Sequence, residues 1–449
     1  MRVAVIGAGI VGVTTAYELA ADGHEVCVFE RTGSVASQTS FANAGVVAPG
    51  YVTPWASPGM AGKVLGHLLR RHSPVRIHPT LRPGTLGWLW KWWRASRLRT
   101  YQANRARMQR LAGFSRDRLH LVTEALKLDY ERSQGYLVLL RSRKELALAQ
   151  PGLALLGELG HRFAVLDAAR CLEHEPDLSP QTDLHAGIWL PDDEVGNCRQ
   201  FAVLLREQAQ RLGAGFVFHN EVQRIEAGPR PRVTYRRVAP VDEPSRLYQP
   251  ESTDARAGRD TEPMPELPLT EAFDAVVVCA ALGAPALLRP HGIRLPLLAV
   301  HGYSVTAPLR HHAQHPTHGP RSGLMDERYK VAISRLGARV RVAGSAEIGG
   351  TPAQHSVAAL ETLYKVLHDW FPGAAQLGQA QRWKGARPML PDGPPVIGRS
   401  GADGIWLNLG HGASGWALSC GSARLVADLV AGRTPTIDTE GLGIERLRG

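Results

Sequence analysis

Val3-Ala4-Val5-Ile6-Gly7-Ala8-Gly9-Ile10-Val11-Gly12 is the stretch on which the fold turns. Its first four residues suit a buried parallel strand, and glycines follow at the spacing Gly-x-Gly-x-x-Gly. In that pattern Gly7 permits a tight turn, Gly9 lets backbone approach a pyrophosphate, and Gly12 lets a helix pack close. Residues 11–21 read as that helix, whose N-terminus stabilises phosphate charge, and Gly23 ends it. Residues 25–30 read as a second strand, completing a βαβ unit. Glu30, with Arg31 beside it, falls roughly 20 residues beyond the glycines, where an acid accepts hydrogen bonds from a ribose hydroxyl. A glycine triplet alone is weak evidence, but framed by strand, helix, strand and acid it points to a bound dinucleotide.

Working outward, 449 residues with 44% hydrophobic and 21% charged content can bury the cores of two connected domains. The net charge of +11 is spread without a long basic run, so charge alone selects no partner. Five scattered cysteines (27, 171, 198, 279 and 420) contain no CxxC pair, which argues against a disulfide framework or a structural zinc site and suits a reducing cytosol. No metal site is expected. The N-terminus leads straight into a core strand rather than a secretion signal, and no apolar run reaches the ~18 residues of a spanning helix.

Residues 31–62 read as a long ordered loop and 84–128 as helical. Strands are expected at 137–140, 215–219, 222–225, 273–279, 301–306, 329–334 and 339–344, and helices at 167–175, 201–212 and 356–370. A hairpin is expected at 233–238, then an exposed Pro-rich insertion at about 240–268. The acidic residues Asp192, Asp193 and Glu194 read either as a partner for a substrate amine or as a solvated turn. Near the C-terminus, Gly410-His411-Gly412-Ala413-Ser414-Gly415 precedes an apolar helix at 416–430. Such a loop brings N–H groups and positive dipole to an electron-accepting ring, or is an ordinary turn. Two glycine loops, one at the extreme N-terminus, favour FAD over a nicotinamide nucleotide.

The segments VIGAGIVGVTTAYEL, TSFANAG, APGYVTPWASPG, LPDDEVGNC, HGYSVT, MDERYKVAISR, ARPMLPDGPPVIG and LNLGHGASGWALSCGS together resemble the bacterial D-amino acid dehydrogenases, within the wider D-amino acid oxidase-like flavoproteins. The resemblance runs over nearly the whole chain. It implies an α/β fold in which a Rossmann-type FAD-binding domain (1–85, 196–285 and 381–449) interleaves with an α+β substrate domain (86–195 and 286–380) containing an antiparallel sheet. It implies FAD contacts from Val3 through Gly12, at Glu30 and Arg31, at Ser40, Ala42, Asn43, Ala44 and Gly45, at Val222 and Ala281, and from Gly410 to Gly415. Similar proteins have Gly in place of Ala281 and Gly-Gly in place of Ala343-Gly344, and lack the 240–268 insertion. Ala281 would crowd the cofactor unless Gly283 supplies the freedom.

Similar proteins place an arginine at Arg387, where a planar guanidinium can hold a substrate carboxylate through two parallel hydrogen bonds; a structural or flavin-contacting arginine is the other reading. Tyr51, Tyr303 and Tyr329 are read as further donors or as pocket walls. His411 is assigned a backbone role rather than acid–base work. The Trp/Arg tract at 86–99, with Leu86, Leu89, Trp90 and Trp93 on one helical face widened by Trp88 and Trp92, reads either as an interfacial helix on an anionic membrane or as a buried helix.

The resemblance implies oxidative deamination of small neutral D-amino acids, D-alanine first, to 2-oxo acids and ammonia, with electrons passed to a quinone or other respiratory acceptor. The expected setting is cytoplasmic, peripheral on the inner membrane face, without nucleic acid. The rivals are an oxygen-using amino acid or glycine/secondary-amine oxidase, and a non-catalytic basic RNA-associated flavoprotein.

Overall fold

The computed structural model describes residues 1–60, 62, 64, 72–78, 83–239, 267–310, 318–351 and 354–447. Of the expected Pro-rich insertion only 267 and 268 fall among them.

Two large sheets organise the α/β chain. The first runs Val396–Arg399, Ile405–Leu409, Ala275–Val278, Arg2–Ile6, Glu25–Phe29, Gly215–Val217. All neighbours are parallel except the first pair. Val3, Ala4 and Val5 have no exposed surface, as befits a strand covered on both faces. The helix Ile10–Ala21 packs against helices Cys198–Arg211 and Gly415–Val430, and Gly23 follows it at φ +81°. Buried Glu18 on that helix accepts a forked pair of hydrogen bonds from Arg118, at 2.7 Å each, and a third from Arg424 at 2.8 Å. That ties the helix Leu98–Leu126 to the nucleotide half.

The second sheet has ten strands, mixed but mostly antiparallel, with Gln381–Met389 at one end beside Leu298–Pro308 and Arg339–Ile348. Its middle pairs Gly323–Asp326 in parallel with Ser133–Leu140, and Ala186–Val195 follows. Val46–Val47 and Val75–Ile77 also join it, so residues 1–85 and 381–449 contribute to both sheets. The helix Val357–Trp370, capped by the Ser356 hydroxyl, covers one face.

Several expectations need correction. The helical stretch at 84–128 is two helices, Pro83–Ala95 and Leu98–Leu126; between them the Ser96 hydroxyl donates to the Trp93 carbonyl at 2.6 Å and Arg97 turns extended. The Trp tract splits by face: Trp88 and Trp92 are buried against Trp55, and the Trp88 indole N–H donates to the Met389 carbonyl at 3.1 Å. They therefore do not widen the outer face, where Leu86, Trp90 and Trp93 are each more than half exposed. The strands Gln381–Met389, Val396–Arg399 and Ile405–Leu409 were not anticipated, although they carry Arg387 and deliver the second glycine loop.

Candidate active site

The turn after the first strand is built without room to spare. A Cβ at Gly12 would overlap the Gly7 carbonyl oxygen, so the helix can approach the turn only as glycine. A Cβ at Gly9 would meet nothing nearer than Ser40 Oγ at 3.7 Å, leaving open space above the turn for a ligand. Ser40 Oγ accepts from the Ile10 N–H at 3.1 Å. Glu30 braces the same turn, accepting from the Ala8 N–H at 2.7 Å and from the Thr32 N–H and hydroxyl at 3.0 and 2.9 Å.

Above the turn a cavity of about 420 Å³ runs to the 408–416 loop. Ile6, Gly7, Gly9, Ile10, Val11, Glu30, Arg31, Ser40, Asn43, Val222, Ala281, Gly410, His411, Gly412 and Gly415 line it. Val3, Ala4, Val5, Ala8 and Gly12 stand behind as strand and turn. Buried Asn408 lines it too: its amide donates to the Thr15 hydroxyl at 3.0 Å, and its Oδ1 has no donor among the described residues. A glycine turn with open space, an acid at the second strand, a helix start opening on the cavity and an orphaned acceptor are the features an FAD molecule requires. Burial pushes the His411 imidazole down to about 3, and its Nε2 lies 2.9 Å from the Ser422 hydroxyl, so its surroundings favour the neutral ring.

Ala281 sits at φ +45°, while Gly283 is at φ −78° and supplies no freedom. Left-handed backbone costs an L-residue about 1–2 kcal/mol. Ala281→Gly is therefore expected to stabilise the protein by up to ~1 kcal/mol after glycine's extra unfolded-state entropy is deducted. Urea unfolding measures it.

A second cavity of about 270 Å³ shares Thr39, Asn43 and Gly412 with the first, so the two are contiguous. Ala42, Ala44, Ala413 and Ser414 line it. Gly45 belongs to neither wall; its carbonyl accepts from the Gly196 N–H at 2.8 Å and the Trp416 indole at 3.2 Å, fixing the loop. Arg387 lines this second cavity, and a Cβ at Gly302 would overlap its guanidinium. Its Nη1 donates to the Ser345 carbonyl at 2.8 Å, and it forms no ion pair with a described residue. The surface it keeps faces the cavity, and burial alone pushes its pKa down to about 10. A cation in such surroundings, with donors to spare, is arranged for an anion.

The three tyrosines part company. Tyr51 lines the cavity, donating to Glu327 Oε2 at 2.8 Å and accepting from Lys330 Nζ at 3.0 Å. Tyr303 contributes only wall: its hydroxyl is bonded to Glu347, which Lys384 holds at 2.9 Å, and accepts from the Ser356 N–H at 3.1 Å. Tyr329 does not reach the cavity at all, a correction; its ring packs on the far side, 5.2 Å from the Arg141 guanidinium and 5.6 Å from the Lys365 ammonium. Its neighbour in sequence, Lys330, was missed and lines the wall at φ +52°. Ser345, at φ +58°, was missed likewise; no sequence pattern flags a serine or lysine that will turn left-handed.

The acidic trio lies within the strand Ala186–Val195, and none of the three lines either cavity. Asp192 pairs with exposed Arg162, and buried Glu194 takes His120 at 3.0 Å. Asp193 is 2% exposed, and burial pushes its carboxyl up from 3.8 to about 7, the Gly50 N–H opposing weakly. A raised folded-state pKa gives stability that is full below the unfolded value and lost as pH rises through the folded one. Asp193→Asn should therefore flatten the fall in Tm between pH 4 and 7 and stabilise the protein above pH 7, by about 4 kcal/mol at most.

The chain matches the FAD dependent oxidoreductase family model over residues 2–429. It is 42% identical over 449 residues to a D-amino acid dehydrogenase of Cereibacter sphaeroides, covering 99% of this chain and 95% of the relative. It is 38% identical over 448 residues to one of Vibrio cholerae, covering 99% of each. Among solved structures it is similar to glycine oxidase from Geobacillus kaustophilus, with a TM-score of 0.70 at 20% identity, covering 99% of this chain and 98% of that one. L-proline dehydrogenase from P. horikoshii gives a TM-score of 0.68 at 17% identity, covering 100% and 97%. At such identities these structures speak for the fold alone.

Proposed function

Because the chain belongs to the FAD dependent oxidoreductase family, we propose that it deaminates small neutral D-amino acids oxidatively, D-alanine first among them, to 2-oxo acids and ammonia. The observation that carries this reading is Arg387, a half-buried guanidinium without a counter-ion among the described residues, in a cavity that adjoins the nucleotide cavity. FAD, when bound, supplies the sink for the two electrons lost from the Cα–N unit. The Gly7–Gly12 turn and Glu30 hold its pyrophosphate and ribose, and the start of helix Gly415–Val430 steadies negative charge. Arg387 holds the substrate carboxylate and so orients the Cα–H, the Ser345 carbonyl keeping the guanidinium aimed. Trp383, Met325, Val46 and Val52 make the wall apolar and exclude water until the imino acid leaves to be hydrolysed. A cavity of about 270 Å³ suits a small side chain.

The test is the anaerobic spectrum of the FAD-loaded protein mixed separately with D-alanine, L-alanine and glycine. Bleaching by D-alanine alone is expected; bleaching by L-alanine or glycine alone would overturn the reading. Faster reoxidation by a quinone analogue than by oxygen is expected of a dehydrogenase, and the reverse would favour an oxidase.

We further propose that the acceptor is reached at a membrane surface. No described helix is long and apolar enough to cross a membrane. The helix Pro83–Ala95, however, exposes Leu86, Trp90 and Trp93 beside Lys91 and Arg94, with Arg97 and Arg99 just beyond, while its inner face packs on Met389, two residues from Arg387. Exposed indoles among cations suit an anionic lipid surface. Replacing Trp90 and Trp93 by Ser should weaken binding to anionic vesicles by about tenfold or more while the fold is kept. The same change at Trp88 and Trp92 should instead unfold the buried cluster. Unchanged sedimentation with vesicles in the first variant would remove the membrane contact.

A further inference from the structure

An amino acid arrives as a zwitterion, yet hydride can leave its Cα only once the nitrogen carries a lone pair. Given the deamination reading, on which the inference rests, some group must take the ammonium proton. Among the described residues the titratable or charged side chains in the wall of the second cavity are Tyr51, Tyr303, Lys330 and Arg387. Arg387 and Lys330 are donors only, and the Tyr303 hydroxyl is spent on Glu347 and the Ser356 N–H. Only Tyr51 leads out: its hydroxyl donates to Glu327 Oε2 at 2.8 Å, and Glu327, whose side chain is 26% exposed, touches solvent. Lys330, 48% exposed, is ion-paired with Glu327 and donates to the Tyr51 oxygen at 3.0 Å.

We propose that Tyr51 and Glu327 form the relay through which the substrate ammonium loses its proton to solvent. The N–H bond breaks with its electron pair left on nitrogen, and the proton passes to the Tyr51 oxygen as the phenolic proton passes to Glu327 Oε2. The balance is ammonium plus carboxylate giving amine plus carboxylic acid. Glu327 then returns the proton to water, and Lys330, paired with it, holds the carboxylate in place. Tyr51 would touch the substrate; Glu327 acts through it.

The surroundings favour a relay over a phenolate base. Burial, with the Glu327 charge next, raises the Tyr51 pKa well above its ordinary value, so the phenol keeps a proton in both resting states. Of the other groups about it, Asp326 and Tyr136 are committed or neutral, while Asp193, raised by burial to about 7 and with its Oδ2 unpartnered among the described residues, ionises within the same pH range in wild type and variants alike. Asp326 is held by Arg141 and by the Trp370 indole at 2.7 Å, and the Tyr136 ring packs 6.0 Å away with its own pKa raised by burial. Asp193 turns one oxygen to the Gly50 N–H next in sequence.

Anaerobic flavin reduction by D-alanine, followed by stopped flow from roughly pH 6 to 10 on the FAD-loaded protein, tests this in wild type, Glu327→Gln and Tyr51→Phe. Each variant is expected to be slower by about 100-fold at the acid end, with the deficit closing toward the alkaline end where the amine arrives neutral. FAD content and affinity for D-lactate, which has no ammonium, should match wild type. Either variant alone suffices, since each removes one proton carrier and keeps the shape. A deficit equal at every pH, or none in either variant, would overturn the relay while leaving the function intact. A wild type bleached by no D-amino acid would overturn both.

Discussion

Arg387→Met is expected to lower kcat/KM for D-alanine by about 10³-fold, mostly through KM, while the protein still binds FAD. The magnitude follows from what the guanidinium has and lacks. It is enclosed, its one described hydrogen bond goes to the Ser345 carbonyl, and no described carboxylate answers its charge. A carboxylate entering that site makes charge-assisted hydrogen bonds worth several kcal/mol, and breaking such a pair typically costs about 3–5 kcal/mol. Methionine preserves volume and removes the charge. The substrate-free variant should also be more stable than wild type, because a half-buried uncompensated cation has been replaced by an apolar chain. Lysine should fall between, keeping charge but losing the planar fork. Steady-state kinetics and thermal melts measure the two effects, whose opposite signs distinguish a binding residue from a structural one. Unchanged KM, or a Tm that falls in the methionine variant, would remove Arg387 from the carboxylate.

Gly12→Ala is expected to abolish FAD retention and destabilise the nucleotide half by more than ~4 kcal/mol. The added Cβ would overlap the Gly7 carbonyl oxygen, a backbone atom that cannot swing aside as a side-chain tip could. The helix Ile10–Ala21 would have to slide, and it is wedged among Cys198–Arg211, Gly415–Val430 and the central strand Arg2–Ile6. Overpacking of that kind exceeds the usual 1–3 kcal/mol because no rotamer relieves it. Gly9→Ala is the informative contrast: its Cβ would meet only Ser40 Oγ at an ordinary contact of 3.7 Å, so the apo protein should fold normally and lose only cofactor affinity. Urea unfolding of the apo forms and fluorescence titration with FAD separate the two. A stably folded, FAD-retaining Gly12→Ala would contradict the packing argument.

These two residues mark how much was legible in the chain itself. The strand–turn–helix around Gly12 could be read in full, because every requirement there is local: apolar run, glycine spacing and helix periodicity all concern residues within one βαβ unit. The helix at 357–370 and the central strand at 275–278 were legible for the same reason. The family resemblance carried Arg387 and the flavin loop, but not the strands that deliver them. The acidic trio was misjudged because nothing local says that Ala186–Val195 will pair with Ser133–Leu140 on one side and with Val46–Val47 and Ala164–Leu166 on the other, burying two of its three carboxylates.

Residue order therefore determined the glycine turn of the nucleotide site, whose strand, turn and helix are consecutive, while the rest of that cavity's wall comes from distant segments. Tertiary structure alone decided the second cavity. Its wall is drawn from segments near 39–53, 302–303, 325–332, 343–344, 383–387 and 412–417, brought together by sheet pairing. In a sheet, side chains alternate between faces, and facing is set by register between distant strands. That alternation turned Gly302 toward Arg387 and the Tyr303 hydroxyl toward Glu347, whereas the turn at 327–330, left-handed at Lys330, sent Tyr329 out of the cavity while Lys330 entered its wall.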